Sequence, residues 1–490
     1  MLMNHKRILS VLLLALLSVT AFGCKSPRNV QTNEGTMASN SNLGLRNLER
    51  AIGLIDTTML TYFSGQEMVM SRYYNPLTKV RSSEQASVWM YTAAIESINT
   101  VLHGLTLAKQ NGHTEIYDAQ FARYAKLLGD LYRNADYYLG TFELTSFTQT
   151  KSWSVYAVDR VNQKGEANVE GVFNVYDDQM WLIRELLESY RLTGERAYLD
   201  KAEYLTAYVL DGWDTTIDQH GNENGGIPWG PGYVTKHACS NGPLISALVW
   251  LHKIYAGKPD EIEYRYLDTQ DRKTRKSVYK PKSAYYLDYA VKVYDWQYKK
   301  LLDEHGVYTD MMGGCGDCAI KYETVAGVRY RANTQLTDPV GEVFSYNSGT
   351  MLSGGVDLYQ ATNDVKYSQH TRNLSEASFR VFATLDKDLP GYYTYGTDGF
   401  QNWFNGVLLR GFIDVYKSHS GATDAIASFQ QNLDYGYSQF KQEGLLPADL
   451  LSGWDDLANG NGVEGMFQFT FATEYALLAR YEFENTINQK

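Results

Sequence analysis

Two consecutive acids, Asp177 and Asp178, open an amphipathic run in the segment Tyr176-Asp177-Asp178-Gln179. Hydrolysis of a glycosidic bond needs such a pair, one carboxyl protonated to assist departure and one ionised to attack or to activate water. Adjacent carboxylates repel, which raises the proton affinity of one of them. A helix N-terminus counters this by stabilising negative charge. Neighbours within a helix point about 100° apart. The two acids are therefore expected to reach one bond only from the cap, where the first residue is not yet helical. A second pair stands in Gly453-Trp454-Asp455-Asp456, before another helical run, and reads first as turn chemistry.

Other helical runs begin with similar groups: Cys239-Ser240-Asn241-Gly242, Tyr346-Asn347-Ser348-Gly349 and Trp403-Phe404-Asn405-Gly406. Helix capping accounts in part for Ser240 and Asn347. It does not require an aromatic beside each polar tip. Tyr176, Tyr346 and Trp403 converging with these tips would form a sugar subsite, with rings to stack and amides and carboxylates for hydroxyls. The stretch from Asp218 to Gly225 lacks the ligand order of a calcium loop and reads as a polar turn. The nine His show no two-ligand helical spacing, and no phosphate loop or dinucleotide glycine pattern occurs. No metal and no other cofactor is called for.

The elements that must position these residues are helices. Periodicity predicts twelve, over 47–72, 85–109, 117–139, 176–194, 198–211, 240–256, 284–303, 346–362, 367–385, 403–418, 423–442 and 464–484. Every second one, beginning with 85–109, is apolar around most of its circumference; the others carry one charged face. This alternation predicts an all-α (α/α)6 toroid of six inner and six outer helices. An open superhelix of helix pairs is the rival. Long loops (140–175, 212–239, 304–345, 386–402 and 443–463) precede inner helices and would crowd one rim, which is where a site belongs.

With 490 residues, 44% of them apolar, the chain is neither disordered nor a small disulfide scaffold. Its net charge of −11 argues against a nucleic-acid partner. Lys6 and Arg7 precede an apolar run from Ile8 to Phe22, which ends in Gly23-Cys24 like a bacterial lipoprotein cleavage site. The expected organisation is a signal peptide over 1–23, a flexible leash over 24–46 lipidated at Cys24, and the toroid over 47–490. A lipid anchor is then the membrane contact, on an unspecified face of a bacterial envelope. Cys315-Gly-Asp-Cys318 admits a redox pair, half a zinc site or a local disulfide, and an oxidising envelope favours the disulfide.

The run from Asn174 to Trp181, with Tyr190-Arg191-Leu192-Thr193-Gly194, resembles glycoside hydrolase family 76. So do Gly225-Gly226-Ile227-Pro228-Trp229, the run from Lys236 to Pro243, and Phe344-Ser345-Tyr346-Asn347-Ser348-Gly349. The resemblance implies an endo-acting, retaining α-1,6-mannanase of (α/α)6 fold, acting on polysaccharide (α-mannan). It implies Asp177 as nucleophile and Asp178 as general acid/base, with Trp229, Asn241, Tyr346 and Asn347 lining the substrate groove. The loop 304–345 and the charged insert 257–283 have no counterpart in the family pattern. Two rival readings are an unsaturated uronyl hydrolase on the same toroid, which would need a basic cluster, and a non-catalytic glycan-binding lipoprotein.

Overall fold

A computed structural model describes residues 33–313, 319–454 and 462–488. Among them are twelve α-helices: α1 (Asn33–Tyr62), α2 (Val88–Gln110), α3 (Thr114–Ala135), α4 (Tyr176–Thr193), α5 (Arg196–Asp211), α6 (Leu244–Tyr255), α7 (Lys282–Leu301), α8 (Ser345–Thr362), α9 (Val365–Phe382), α10 (Gln401–Tyr416), α11 (Thr423–Gln439) and α12 (Gly465–Asn488). The odd-numbered helices bury one stripe. In α3 it is Tyr124, Leu128, Leu131 and Ala135, and in α9 Tyr367, Thr371, Leu374 and Ser378. That spacing marks a helix lying on a core with its other side in water. The even-numbered helices are buried nearly all round; in α8 every residue from Ser345 to Leu352 is inside.

Each inner helix touches the next, from α2 through α4, α6, α8 and α10 to α12, and α12 returns against α2. The ring is therefore closed, which excludes the open superhelix. Helices α3, α5, α7, α9 and α11 each lie against the inner helix before them, while α1 packs on α12. The first and last helices thus staple the toroid shut. Short turns join inner helices to the outer ones that follow, except after α6, where the insert intervenes; Gly194 (φ 76°) closes α4 and Asn363 (φ 57°) closes α8.

The first helix departs from expectation at both ends. It stops at Tyr62, because Phe63–Ser64 and Val69–Met70 pair as a hairpin over residues expected to be helical. It starts at Asn33, inside the segment read as a leash. Leu48, Ala51 and Ile55 are fully buried, and a side-chain carbon on Gly44 would sit 2.9 Å from Phe483. The helix is docked on α12 well before residue 47. The signal peptide, Cys24, the Cys315–Cys318 motif and Asp455-Asp456 lie outside the described residues. No helix among the described residues is long and apolar enough to cross a membrane.

The long rim loops carry strands the helical pattern does not announce. Leu139–Thr145 pairs with Thr150–Tyr156, and Tyr322–Val325 with Val328–Arg331. Thr309–Met312 lies between Pro339–Val343 and Lys236–His237. The insert folds as a hairpin of Glu261–Leu267 and Arg275–Pro281.

Inner helices approach most tightly at α8 and α10. A Cβ on Gly349 would lie 2.5 Å from the Val407 carbonyl oxygen, and one on Gly411 would lie 2.8 Å from the Gly349 oxygen. Gly349→Ala is expected to cost about 1–3 kcal/mol by overpacking, despite alanine's better helix propensity. Urea unfolding would show this as a lower midpoint at unchanged slope. An unchanged midpoint would contradict so close an approach.

Candidate active site

Helix α4 begins without a side-chain cap: Val175 is extended (φ −128°, ψ 149°) and caps nothing. The Tyr176 amide instead donates to the Trp229 carbonyl at 2.7 Å. Asp177 and Asp178 therefore fall in the first helical turn, Asp177 two residues past the cap position at which the sequence reading placed it. Both still line one cavity of about 620 Å³ at the rim where the inner helices start. The cavity lies over the helix end, so two side chains splayed around the axis can both enter it.

The floor is aromatic. Trp403 meets Trp89 edge-on at 5.0 Å and Trp181 at 4.7 Å, and Tyr346 stacks on Phe404 at 4.3 Å. Trp229 forms a wall, stacked against His237 at 5.0 Å and beside Tyr233 at 4.6 Å. Four buried polar atoms on these lining residues have no protein partner: Asp177 Oδ1 and the indole nitrogens of Trp89, Trp229 and Trp403. Buried polar groups are normally paired. Donors and an acceptor left open in an aromatic cavity suit a ligand that is apolar on its faces and hydroxylated at its edges.

The two carboxyls differ in surroundings. Burial pushes Asp178 well above the usual carboxylate range, and the neighbouring Asp177 charge adds to the rise. Burial raises Asp177 too, but the Cys239 thiol, the Trp229 indole (close to the carboxyl, though short of a hydrogen bond), His237 and the Asp178 backbone amide pull it back. Both carboxyls are raised, Asp178 further than Asp177. Asp310 adds a third carboxyl to the lining, with Oδ2 3.5 Å from His237 Nδ1. No Lys or Arg lines the cavity among the described residues. Among those residues no cluster of three or more His, Cys, Asp or Glu is placed to hold a metal.

Of the residues read from sequence, Asp177, Asp178, Trp229, Tyr346 and Trp403 line the cavity, while three do not. Tyr176 is buried against Tyr208 of α5, ring centroids 5.0 Å apart, because the first helical position turns its ring to the outer layer. Asn241 is fully buried and clamps a loop: its amide accepts from Ile227 N at 2.9 Å and donates to the Ile227 and His237 carbonyls at 3.0 and 2.7 Å. Asn347 is fully buried inside the ring behind Tyr346. Tyr176 and Asn241 support the groove from behind, whereas the Asn347 side-chain amide has no protein partner. Sequence reading passed over Trp89, Trp181, Phe400, Phe404, His237 and Asp310. Trp89 starts an inner helix and Trp181 stands one turn after Asp177, so the rule that found Trp403 would have found both.

A desolvated acid beside a like charge costs stability that an amide does not. Asp178→Asn is expected to melt higher than wild type at neutral pH. The folded state raises this acid's affinity, so wild type loses stability as pH climbs above the ordinary carboxylate value of about 4. The difference in Tm should therefore shrink at acid pH. A lower Tm at pH 7 would contradict the placement of Asp178.

The chain matches the model of glycosyl hydrolase family 76 over residues 134–259 and 277–432, the break falling across the insert. A search of curated proteins found no match. Among solved structures, the family 76 mannosidase Bt3792 from Bacteroides thetaiotaomicron VPI-5482 is 20% identical, with a TM-score of 0.64 over 90% of this chain and 100% of that one. The α-1,6-mannanase GH76A from Salegentibacter sp. HEL1_6 is 19% identical, with a TM-score of 0.55 over 89% and 99%. An inactive variant of that enzyme, substituted at two consecutive aspartates and bound to α-1,6-mannotriose, is 18% identical with a TM-score of 0.55 over the same shares. The match to the family model spans more than half of the sequence, and the chain belongs to glycosyl hydrolase family 76.

Proposed function

We infer that this protein is an endo-acting, retaining hydrolase of α-1,6-linked mannan. One observation carries the reading: two adjacent carboxyls face one aromatic cavity, and their surroundings favour a protonated Asp178 beside an ionised Asp177. Asp178 would protonate the glycosidic oxygen while Asp177 attacks the anomeric carbon, giving a glycosyl-enzyme and releasing the leaving sugar. Asp178, now ionised, would take a proton from water as that water attacks the same carbon and frees Asp177. Trp229, Tyr346 and Trp403 would hold the sugar rings. The mannan substrate and its linkage rest on the structural relatives, one of which is an inactive variant with two consecutive aspartates replaced, in complex with α-1,6-mannotriose.

The absence of Lys and Arg from the described lining favours a neutral sugar over the uronyl substrate of the rival hydrolase. A purely glycan-binding protein would not need both acids. In this reading Cys24 carries the lipid that holds the enzyme to a bacterial envelope, where polysaccharide is met from outside.

Asp177→Asn and Asp178→Asn, assayed on linear α-1,6-mannan, are each expected to lower kcat by at least about 10²–10⁴-fold. Proton NMR of the first products should show the α-anomer. Near-normal turnover in either variant, or a β-anomer, would overturn the assignment. The pH profile should be a bell, because Asp177 must be ionised and Asp178 protonated. Burial raises Asp178, so activity should fall on the alkaline side only above the ordinary carboxylate range.

A further inference from the structure

A second polar cavity, of about 180 Å³, opens where the 139–156 hairpin, the end of α5 and the insert meet. A water molecule's share of liquid volume is about 30 Å³, so the space admits a single pyranose ring. Trp153, Trp213, Tyr285 and Tyr289 wall it. Ile262, Glu263 and Arg265 close it from the insert, in the stretch that the family match skips. This wall therefore lies outside the matched family pattern.

Three polar atoms on the lining residues are buried without a partner: Asp211 Oδ2, Thr215 Oγ1 and Trp153 Nε1. Thr215 is 3% exposed and Trp153 1%. The other Asp211 oxygen is already engaged, by Ser146 Oγ at 2.9 Å and Gln149 Nε2 at 3.0 Å. The Trp153 indole lies near enough to ease the Asp211 carboxyl's proton affinity but closes no hydrogen bond. What remains open is an acceptor, a donor and a hydroxyl that can act as either. An ionised phosphate or sulfate only accepts and would meet the Asp211 charge, while the cations of the lining are engaged, Lys151 over the Trp153 ring at 4.0 Å and Arg265 with Glu263 at 2.7 Å. An ammonium only donates and would leave the indole unpaired. A neutral hydroxyl does both, and a ring bearing adjacent hydroxyls also has C–H faces for the aromatic walls.

We propose that this cavity is a saccharide site separate from the catalytic groove, taking one neutral hexose unit from a branch or end of a polysaccharide. The cavity is tied to the groove. Arg275 of the insert donates to Glu323 at 2.9 Å, and the Arg331 amide donates to the Ser146 carbonyl at 2.9 Å. The Arg331 guanidinium donates to the Pro231 carbonyl at 3.2 Å, in the loop that carries Trp229 and Tyr233. A sugar seated here would hold a second part of the same glycan beside the catalytic acids.

The test is calorimetric titration with the methyl α-glycosides of mannose, glucose and galactose. It uses the Asp177→Asn/Asp178→Asn protein, so that it does not depend on which bond the groove cleaves. At least one glycoside should bind. Thr215→Val on that background should weaken this binding at least tenfold with Tm not lowered, because the lost hydroxyl has no protein partner. Asp211→Asn should weaken it too, and a soaked crystal should show the ring against Trp153. No binding by any of the three, equal binding after Thr215→Val, or only water in the soaked cavity would each overturn the proposal.

Discussion

A carboxyl taken out of water and set beside a second carboxyl costs free energy that only the surrounding fold can hold in place. In this toroid the cost is imposed by the first layer of the ring. Trp89, Trp181 and Trp403 come from three different inner helices and meet edge to face beneath the acids. Two helical turns further along, Glu96 of α2 and Arg410 of α10 form an ion pair across the ring. A buried pair of that kind is weak evidence for stability, but breaking it strands a charge. It therefore fixes the relative position of the helices that carry Trp89 and Trp403.

The loops that complete the groove are held by side-chain amides as much as by strand pairing. Gln179 of α4 brackets Tyr156, accepting from its amide at 3.1 Å and donating to its carbonyl at 2.8 Å. Asn174 accepts from Tyr208 at 2.6 Å, just before α4 starts. Asn241 and Ser240 bind both Ile227 and His237, which flank the Trp229 turn. Such bonds satisfy loop backbone that has no ladder partner, and each fixes the loop against a helix. Irregular segments thereby carry groove walls with the order of regular ones.

This division of labour explains what could be read from the sequence. Inner and outer helices were legible because burial imposes a period on the side chains, complete in α8 and one-sided in α9. Asp177 and Asp178 were legible because two adjacent acids at a helix start have few purely structural uses. Tyr176 and Asn241 misled for a related reason. An aromatic or an amide beside a reactive residue serves the site equally well from behind, as packing or as a clamp, and its type does not say which. Asp310 carried no signal at all, since it reaches the cavity through a short strand paired with Lys236–His237 far away in sequence. The rim hairpins were missed because their alternation spans a few residues within otherwise polar loops.

The ring also decides which of its ends does chemistry. All six inner helices start at the rim with the acids, so their partial positive ends face the groove and favour an ionised Asp177. Their C-terminal ends meet at the opposite side around a cavity of about 440 Å³ that is rich in charge. There each acid has its base: Glu188 with Arg191 at 2.6 Å, Asp414 with Arg480 at 2.6 Å, Glu484 with Lys417 at 3.1 Å and Asp357 with Lys253 at 3.7 Å. His103 in that lining is pushed down to about 4, chiefly by burial, and stays neutral at ordinary pH. Among these acids, burial pushes Asp357 up to about 6 in spite of Lys253. At the other rim Asp177 and Asp178 face tryptophans and each other, with no Lys or Arg among the described lining.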